Sequence, residues 1–412
     1  MAGSKMDIAT QVQSQKMTPK KLAIFIAIGF AVLVLPILFQ GFGQIFMVRI
    51  LAVVGLYVML ALGLNIVVGY AGLLDLGYVA FYAIGAYAGV LVGMPLSQWF
   101  EKAFPTVEWL PGTSYFLMIP VAALAAAATG IALGTPVLRL RGDYLAIVTL
   151  GFGEIVRIAL TNNIFGITNG AAGLPKAGEV MPKPLGLEWL QNNLYFSLPN
   201  LGANGFNFKF TSNLYWYFII VALCVFTIFV VRRLDDSRLG RSWTAMREDE
   251  VAASSMGVNI TGAKLWAFSL GATWGGIAGV TFAYYQGFVS PESFTFMESV
   301  FIVCVIVLGG MGSIPGAILG AIIIQGVPEL IRGMASSGLI DVSAEAQSAI
   351  SNYRYLVFGL LMVVMMAVRP QGIWPSSRRA RELHPDDEKM LDEGNQTLYD
   401  AQHDVAVPGE DL

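Results

Sequence analysis

Glu154 and Arg157 are two charged side chains inside an apolar run of the sequence. Counted from Asp143 at about 1.5 Å per residue, Glu154 lies roughly 16 Å along a helix, near the midplane of a bilayer. Charges at that depth are costly, and they usually face the protein interior or a water-filled cavity. A spacing of three residues allows the two charges to neutralise each other on one helix. We therefore predict either a structural ion pair or two residues that line a pathway across the membrane, and the sequence favours neither.

Glycine-rich stretches interrupt two other apolar runs. In GYAGLLDLGYVAF (residues 69–81), glycines surround Asp75, and LGGMGSIPG (308–316) is a second cluster. A helix break in hydrocarbon is tolerated only where it is buried in protein or lines a cavity, and paired breaks often mark a transport route. Close helix packing is the alternative for the glycines, and hydration near the cytoplasmic boundary is the alternative for Asp75. The predicted pathway residues in these clusters are Gly69, Gly72, Asp75, Gly309, Gly310 and Gly312, and Asn65, a polar residue inside the preceding apolar run, is a weaker case of the same kind as Glu154 and Arg157.

The stretch ITNGAAGL (167–174) follows the run that contains Glu154 and Arg157. Its Asn169–Gly170 step is typical of a turn. A plain turn is the simpler interpretation. A lid near the outer mouth, or a contact for an external binding protein, is the alternative that makes Asn169 a further predicted pathway residue.

Several classes of function have no support in this sequence. The two cysteines, Cys224 and Cys304, lie in apolar runs, and His384 and His403 lie in a polar tail, so neither metal-ligand spacing nor a catalytic nucleophile motif is present. The cluster GGMGSIPG lacks the lysine of a GxxxxGKS or GxxxxGKT nucleotide-binding loop. With a net charge of −3, nothing indicates binding to nucleic acid. We therefore expect no enzyme, no metal, no catalytic residues and no cofactor of the chain's own.

The elements that must position these residues are membrane-spanning helices. Hydrophobic residues make up 56% of the 412 residues and charged residues 13%, whereas about 25% of a typical soluble domain is charged. A bilayer-crossing helix needs about 20 mostly apolar residues. The sequence contains ten such runs, which predict an all-α polytopic membrane protein with interrupted helices: residues 22–40, 47–68, 77–94, 115–138, 143–162, 213–231, 264–285, 296–311, 314–332 and 353–369.

Positive charges predict the orientation of these helices, because cytoplasmic loops are rich in lysine and arginine. The basic segment 1–21 places the N-terminus in the cytoplasm, and ten crossings return the C-terminus to the same side. The transmembrane domain is then 22–375 with an outer loop at 163–212, and the acidic tail 376–412 is predicted to be a disordered cytoplasmic segment. The other basic residues that fall inside are Arg139, Arg141, Arg232, Arg233, Arg238, Arg241, Arg247, Arg369, Arg378, Arg379 and Arg381.

A charged segment, RSWTAMREDEVAASSMGVNITGAK (241–264), lies in the predicted cytoplasmic loop 232–264. The stretch between Gly240 and Gly257 has neither glycine nor proline, and it predicts a helix of roughly 24 Å or two short helices broken near Glu248. Gly257 is placed where a left-handed residue often ends a helix. An ordinary surface helix and a docking element for a soluble partner are both compatible with this pattern. The residues predicted to share one face are Trp243, Met246, Ala253 and Met256.

Within this segment, VAASSMG (251–257) resembles the EAA loop of ATP-binding-cassette (ABC) importer permeases, in which alanines precede a glycine. It departs from that pattern because Val251 stands at the position of the glutamate and Glu250 comes one residue early. The longer string GRSWTAMREDEVAASSMGVN (240–259) resembles LivM-type permeases of branched-chain amino-acid importers. The resemblance covers about residues 22–375, and its other motifs are GLNIVVGYAGLLDLGYVAFYAIGAYAG (63–89), LRLRGDYLAIVTLGFGEIVRI (138–158) with ITNGAAGL, and GFVSPESFTFMESV (287–300) with VLGGMGSIPGAILGA (307–321).

The resemblance implies a permease subunit in the bacterial plasma membrane that moves leucine, isoleucine and valine inward by alternating access, with other amino acids as a wider range of cargo. It implies four kinds of partner: a second, LivH-like permease, two cytoplasmic ATP-binding subunits, an extracytoplasmic solute-binding protein and the lipid bilayer. An ABC permease for urea or short-chain amides is one alternative, and a self-sufficient secondary transporter that uses Glu154 and Arg157 for ion coupling is another. The residues predicted to couple to the ATPase are Trp243, Met246, Arg247, Glu248, Asp249, Glu250, Ala252, Ala253, Met256 and Gly257.

Overall fold

The structure is a computed structural model of the 412-residue chain. It describes residues 19–105, 107, 110–137, 143–163, 166–175, 181, 187–198, 206–336, 356, 359–369 and 371–375. Most of the predicted N-terminal segment, the basic residues Arg139 and Arg141, and the predicted tail 376–412 lie outside the described residues.

Helices account for most of the described chain, as the apolar runs predict. One two-stranded antiparallel hairpin, which the sequence analysis did not include, joins β1 (Tyr195–Leu198) to β2 (Phe206–Lys209) within the predicted outer loop. The helices are α1 (Pro19–Gly41), α2 (Ile45–Asn65), α3 (Val79–Ala103), α4 (Ser114–Val137), α5 (Asp143–Thr161), α6 (Leu187–Asn193), α7 (Ser212–Asp235), α8 (Arg238–Glu248), α9 (Glu250–Ser255), α10 (Ile260–Gln286), α11 (Phe296–Gly309), α12 (Ile314–Ala321), α13 (Val327–Ser336) and α14 (Gly359–Val368).

Seven helical segments of the described chain are long and apolar enough to cross a membrane. They are Ile45–Tyr70, Val79–Ala103, Pro111–Val137, Tyr144–Thr161, Ser212–Asp235, Ile260–Gln286 and Ile314–Met334. The other three predicted spans coincide with shorter apolar helices, Gly29–Gly41, Phe296–Gly309 and Gly359–Val368. The prediction of a helical, multi-pass membrane protein is therefore confirmed, whereas the count of ten crossings and the orientation of the termini stay predictions.

The chain divides into two compact units. The first comprises residues 1–52 and 186–219, and α1 packs against the β-hairpin within it. Gln40 Nε2 donates to the Lys209 carbonyl over 3.2 Å, and the Tyr217 hydroxyl donates to the Val32 carbonyl over 2.8 Å. Polar side chains thus connect α1 to elements that are about 170 residues away in the sequence.

The second unit comprises residues 53–185 and 220–412, and its core is formed where α3, α4 and α10 pack together. Small residues allow these helices to approach backbone to backbone. A Cβ placed on Gly85 of α3 would overlap the backbone of Gly276 on α10, and one on Gly279 would overlap the Tyr82 carbonyl. For these glycines, close helix packing is the physical role. The glycines of the two clusters predicted to interrupt helices are different residues.

Candidate functional site

The first glycine cluster breaks the helix that contains it, as predicted. After Asn65, α2 widens into a π-helical turn, Ile66–Tyr70, and the chain then runs without helix to the start of α3 at Val79. The Leu73 N–H donates to the Val67 carbonyl over 3.0 Å and closes the end of the helix. Gly72 has φ +69°, a left-handed conformation that glycine adopts without the usual steric cost. We refer to residues 66–78 as the first break.

The second glycine cluster breaks the chain between α11 and α12. Gly310 and Gly312 have φ +122° and +77°, and Ser313 accepts a hydrogen bond from the Gly316 N–H over 3.2 Å at the start of α12. The last carbonyls of α11 have no donor in their own helix. The Trp374 N–H supplies one to Gly309, over 2.9 Å. We refer to residues 310–313 as the second break.

The tertiary structure brings these two breaks into contact. The Gly312 N–H donates to Asn65 Oδ1 over 2.9 Å, and Asn65 is fully buried. A Cβ on Gly69 would lie 2.6 Å from the Gly312 nitrogen, so the first break can approach the second only through a glycine. Among the described residues, Asn65 Nδ2 has no hydrogen-bond partner. Residues from two distant predicted pathway motifs therefore form one site.

Asp75 lies in the first break and is fully buried, so the alternative that it is hydrated near the membrane boundary is wrong. Its Oδ1 accepts from the Gly77 N–H over 2.9 Å. The Leu76 N–H donates to the Thr149 hydroxyl over 3.1 Å, and Gly77 packs directly on the Thr149 carbonyl. Asp75 therefore belongs to the contact between the first break and α5, and its Oδ2 has no partner among the described residues.

Glu154 and Arg157 form the ion pair that their spacing predicts. Arg157 Nη2 lies 2.5 Å from Glu154 Oε1, and Arg157 Nη1 lies 3.9 Å from Glu292 Oε1. The arginine and glutamate side chains are 25% and 37% exposed, so the pair is not deeply buried within the chain. Because α5 runs from Asp143 to Thr161, the pair lies somewhat nearer to the end of the helix than to its start, and its depth in the bilayer stays a prediction. The described contacts do not join it to the two breaks.

Asn169 builds a turn rather than a part of the paired breaks. It has φ +58°, and its Nδ2 donates to the Gly173 carbonyl over 2.9 Å. The Leu174 and Val289 backbones exchange two hydrogen bonds, of 2.8 and 2.7 Å. The stretch ITNGAAGL is therefore hydrogen-bonded to the connection that follows α10. The plain-turn interpretation accounts for the geometry of Asn169.

The charged segment forms two short helices, α8 and α9, so the alternative with a break near Glu248 is the one observed. Asp249 separates them with an extended backbone, φ −155°, and its carboxylate accepts the Val251 and Ala252 N–H groups over 2.7 and 3.0 Å. The hydrogen bonds from these two backbone N–H groups lower the pKa of Asp249, and the bond from Ala252 has the larger effect. The cap therefore stabilises α9 at neutral pH, and its contribution is lost as the pH falls through that lowered pKa. We refer to α8 and α9 together as the coupling element.

The break at Asp249 changes which residues the coupling element presents. Trp243, Met246 and Ala253 are buried, whereas Met256 is 86% exposed. The prediction of one shared face is therefore wrong for Met256, because a continuous helical period does not extend across an extended residue. Gly257 has φ +86°, and a Cβ there would meet no atom within 4 Å, so its left-handed backbone alone accounts for glycine.

The buried face of the coupling element is attached to the membrane helices. Trp243 Nε1 donates to the Ala263 carbonyl of α10 over 2.8 Å, and Arg247 Nη1 donates to the Gly69 carbonyl of the first break over 2.6 Å. These two predicted docking residues thus point into the chain. The exposed members of the predicted set are Glu248, Asp249, Ala252, Met256 and Gly257, and Val251 is exposed with them.

Comparison with known proteins shows the family to which the chain belongs. A family profile described as "branched-chain amino acid transport system / permease component" matches residues 46–366. The chain belongs to this family. The prediction of a transport permease rather than an enzyme is therefore confirmed, and so is the assignment to a bacterial cytoplasmic membrane as a multi-pass protein.

Several relatives are named as permease proteins of branched-chain amino acid transport systems. The chain is 44% identical over 333 residues to the high-affinity branched-chain amino acid transport system permease protein LivM of Escherichia coli, covering 80% of this chain and 70% of the relative. It is 43% identical to LivM of Salmonella typhimurium, with the same coverage. LivH of Escherichia coli is 25% identical over 320 residues, covering 77% and 90%. No solved structure matches the chain.

Two polar contacts of this family member were not predicted from the sequence. Lys264 is buried at the start of α10, and its Nζ lies 2.5 Å from Glu250 Oε1 of α9. Glu298, in the first turn of α11, accepts a hydrogen bond from the Tyr57 hydroxyl of α2. The available signal was a single charge at the edge of an apolar run, at residue 264 and at residue 298. Charged side chains at the ends of membrane helices are often hydrated at the membrane surface. A single charge in that position therefore does not show whether the side chain pairs with another residue or contacts water.

Proposed function

We propose that this chain is a transmembrane permease subunit of an ABC importer, and that it moves leucine, isoleucine and valine inward by alternating access. It crosses the membrane ten times with both termini in the cytoplasm, within a domain at 22–375. Its partners are a LivH-like permease, two cytoplasmic ATP-binding subunits and an extracytoplasmic solute-binding protein. The chain itself takes no cofactor, and ATP is bound by the partner subunits. The names of the relatives support the cargo.

The coupling element is the single observation that carries this proposal. One face of it is fastened to α10 and to the first break through Trp243 and Arg247. The second helix, α9, and the residue that ends it present the apolar side chains of Val251 and Met256 to the surroundings. A pair of short helices that is anchored through the first and exposes apolar side chains from the second fits a groove on a partner. That geometry suits a permease whose movement is driven by another subunit.

Uptake by the assembled importer tests the proposed function. Proteoliposomes that contain this permease, its LivH-like partner, the two ATPases and the binding protein are expected to take up radiolabelled leucine. Uptake is expected only when ATP is present on the side of the membrane that carries the ATPase subunits. Omitting the permease serves as the control. Uptake by this chain alone without ATP would contradict the proposal, and ATP-dependent uptake of urea in place of leucine would reassign the cargo.

Cysteine crosslinking tests where the ATPase docks. In a background without Cys224 and Cys304, Val251→Cys and Met256→Cys are expected to form crosslinks to the ATPase subunit, because both side chains are exposed. Met246→Cys is the matched control from the same element, and it is expected to give none because Met246 is 2% exposed. The measurement is the band shift on a denaturing gel. Crosslinking from position 246 but not from 251 or 256 would place the docking surface elsewhere.

A further inference from the structure

Arg247 connects the coupling element to the first break through one side chain. Its Nη1 donates to the Gly69 carbonyl over 2.6 Å. Its aliphatic stem lies over Gly72, where a Cβ would come within 2.5 Å of Arg247 Cγ and 3.1 Å of Cδ. The same residue therefore contacts the π-helical turn and the left-handed residue that follows it.

The position of the accepting carbonyl explains why an arginine is suited to this contact. Gly69 lies in the last turn before the helix ends at Tyr70, where carbonyls have no donor within their own helix. A guanidinium supplies a charge-assisted hydrogen bond, which is stronger than a neutral one. A positive charge at the C-terminal end of a helix is also favoured by the helix dipole. Arg247 thus supplies, from a different element, a donor to the end of the π-helical turn that follows α2.

Gly69 is in turn packed against the second break. The Gly312 nitrogen would lie 2.6 Å from a Cβ on Gly69, and the Gly312 N–H is held by Asn65 one helical turn earlier in α2. A displacement of Gly69 towards the second break would press on the Gly312 backbone, because there is no room for even a methyl group between them. The contacts therefore run without interruption from Arg247 through Gly69 to Gly312.

From this chain of contacts, we propose that Arg247 is a positioning residue that passes movement of the coupling element to the two breaks. The inference rests on the proposed function, which requires such movement, and goes beyond it by assigning the internal link to one side chain. Arg247 faces the membrane breaks, and the ATPase docks on the exposed face that contains Val251 and Met256.

The first test measures coupling in the reconstituted importer. Arg247→Met keeps the stem over Gly72 but removes the donor, and it is expected to lower the ratio of leucine taken up to ATP hydrolysed about tenfold, the scale set by loss of one charge-assisted hydrogen bond. Crosslinking from Met256→Cys to the ATPase is expected to stay at the wild-type level. Arg247→Lys is expected to recover part of the ratio. An unchanged ratio in Arg247→Met, or a loss of crosslinking with it, overturns the inference.

The matched control is Arg241→Met on the same helix. Arg241 is exposed, and its Nη1 donates to the Asp236 carbonyl of its own segment over 3.0 Å. This variant is expected to keep the wild-type uptake per ATP. An equal loss in Arg241→Met would show that any change of charge on α8 uncouples the importer, which also overturns the assignment to Arg247.

A second measurement separates failure of this inference from failure of the proposed function, because it needs the permease alone. Spin labels at Val251→Cys on α9 and Leu74→Cys in the first break report the distance between the coupling element and the break, and both positions are exposed. The distance distribution is expected to broaden in Arg247→Met and to stay narrow in Arg241→Met. An unchanged distribution in Arg247→Met overturns the inference even if the importer transports leucine. A broadened distribution in Arg247→Met, together with absent ATP-driven uptake by the wild-type importer, refutes the proposed function instead.

Discussion

Trp243→Ala is expected to lower the free energy of unfolding by about 3–5 kcal/mol, the range for truncating a buried tryptophan to alanine. The indole is 0% exposed, and its Nε1 donates to the Ala263 carbonyl over 2.8 Å. The substitution removes this bond and leaves a cavity between α8 and α10. The measurement is chemical unfolding of the purified permease in detergent, followed by circular dichroism.

Two further variants separate the packing of Trp243 from its hydrogen bond. Trp243→Phe keeps most of the apolar volume but leaves the Ala263 carbonyl without this donor, so a loss of about 1–3 kcal/mol is expected. Trp266→Ala is the control on α10, because Trp266 is 55% exposed and exposed substitutions usually change stability by about 0.5 kcal/mol or less. If Trp266→Ala were as costly as Trp243→Ala, the anchoring role of Trp243 would be refuted.

The Glu250–Lys264 pair is expected to respond unequally to loss of its two partners. The lysine side chain is 5% exposed and the glutamate side chain 34%. Glu250→Gln leaves a buried ammonium without its carboxylate, and removing one partner of a buried pair costs about 3–5 kcal/mol. We expect the lower end of that range because Glu250 is partly hydrated. Lys264→Met leaves only a carboxylate that water reaches, so its expected cost is about 1 kcal/mol.

A double-mutant cycle measures this asymmetry as differences in the free energy of unfolding. The double variant Glu250→Gln with Lys264→Met is expected to be more stable than Glu250→Gln alone, since no unpaired ammonium remains. The Glu329–Arg332 pair provides a surface comparison, with side chains 21% and 48% exposed. Glu329→Gln is expected to cost about 0–1 kcal/mol. Equal costs for Glu250→Gln and Lys264→Met would mean that burial does not decide the strength of this pair.

Several features of this protein follow from local sequence alone. Long apolar runs must become helices in a bilayer because every backbone N–H and C=O needs a partner there, and the described helices follow those runs. Gly72 and Gly310 lie in clusters whose spacing predicted breaks, and Gly257 is placed where a helix end requires a left-handed residue. The family can also be recognised from the sequence, because its motifs are short contiguous stretches of residues.

What the tertiary structure decided is which of these residues meet. Asn65 and Gly312 are 247 positions apart, and Arg247 is 178 positions from Gly69. A hydrophobic pattern specifies the faces of a helix but not the neighbour that each face packs against. The same limit explains two residues whose exposure differed from the prediction. Met256 is exposed because the extended backbone at Asp249 interrupts the helix before it, and Asp75 is buried because the first break packs against α5. Helix formation depends on nearby residues, whereas burial and hydrogen-bond partners depend on distant ones, so only the folded chain determines them.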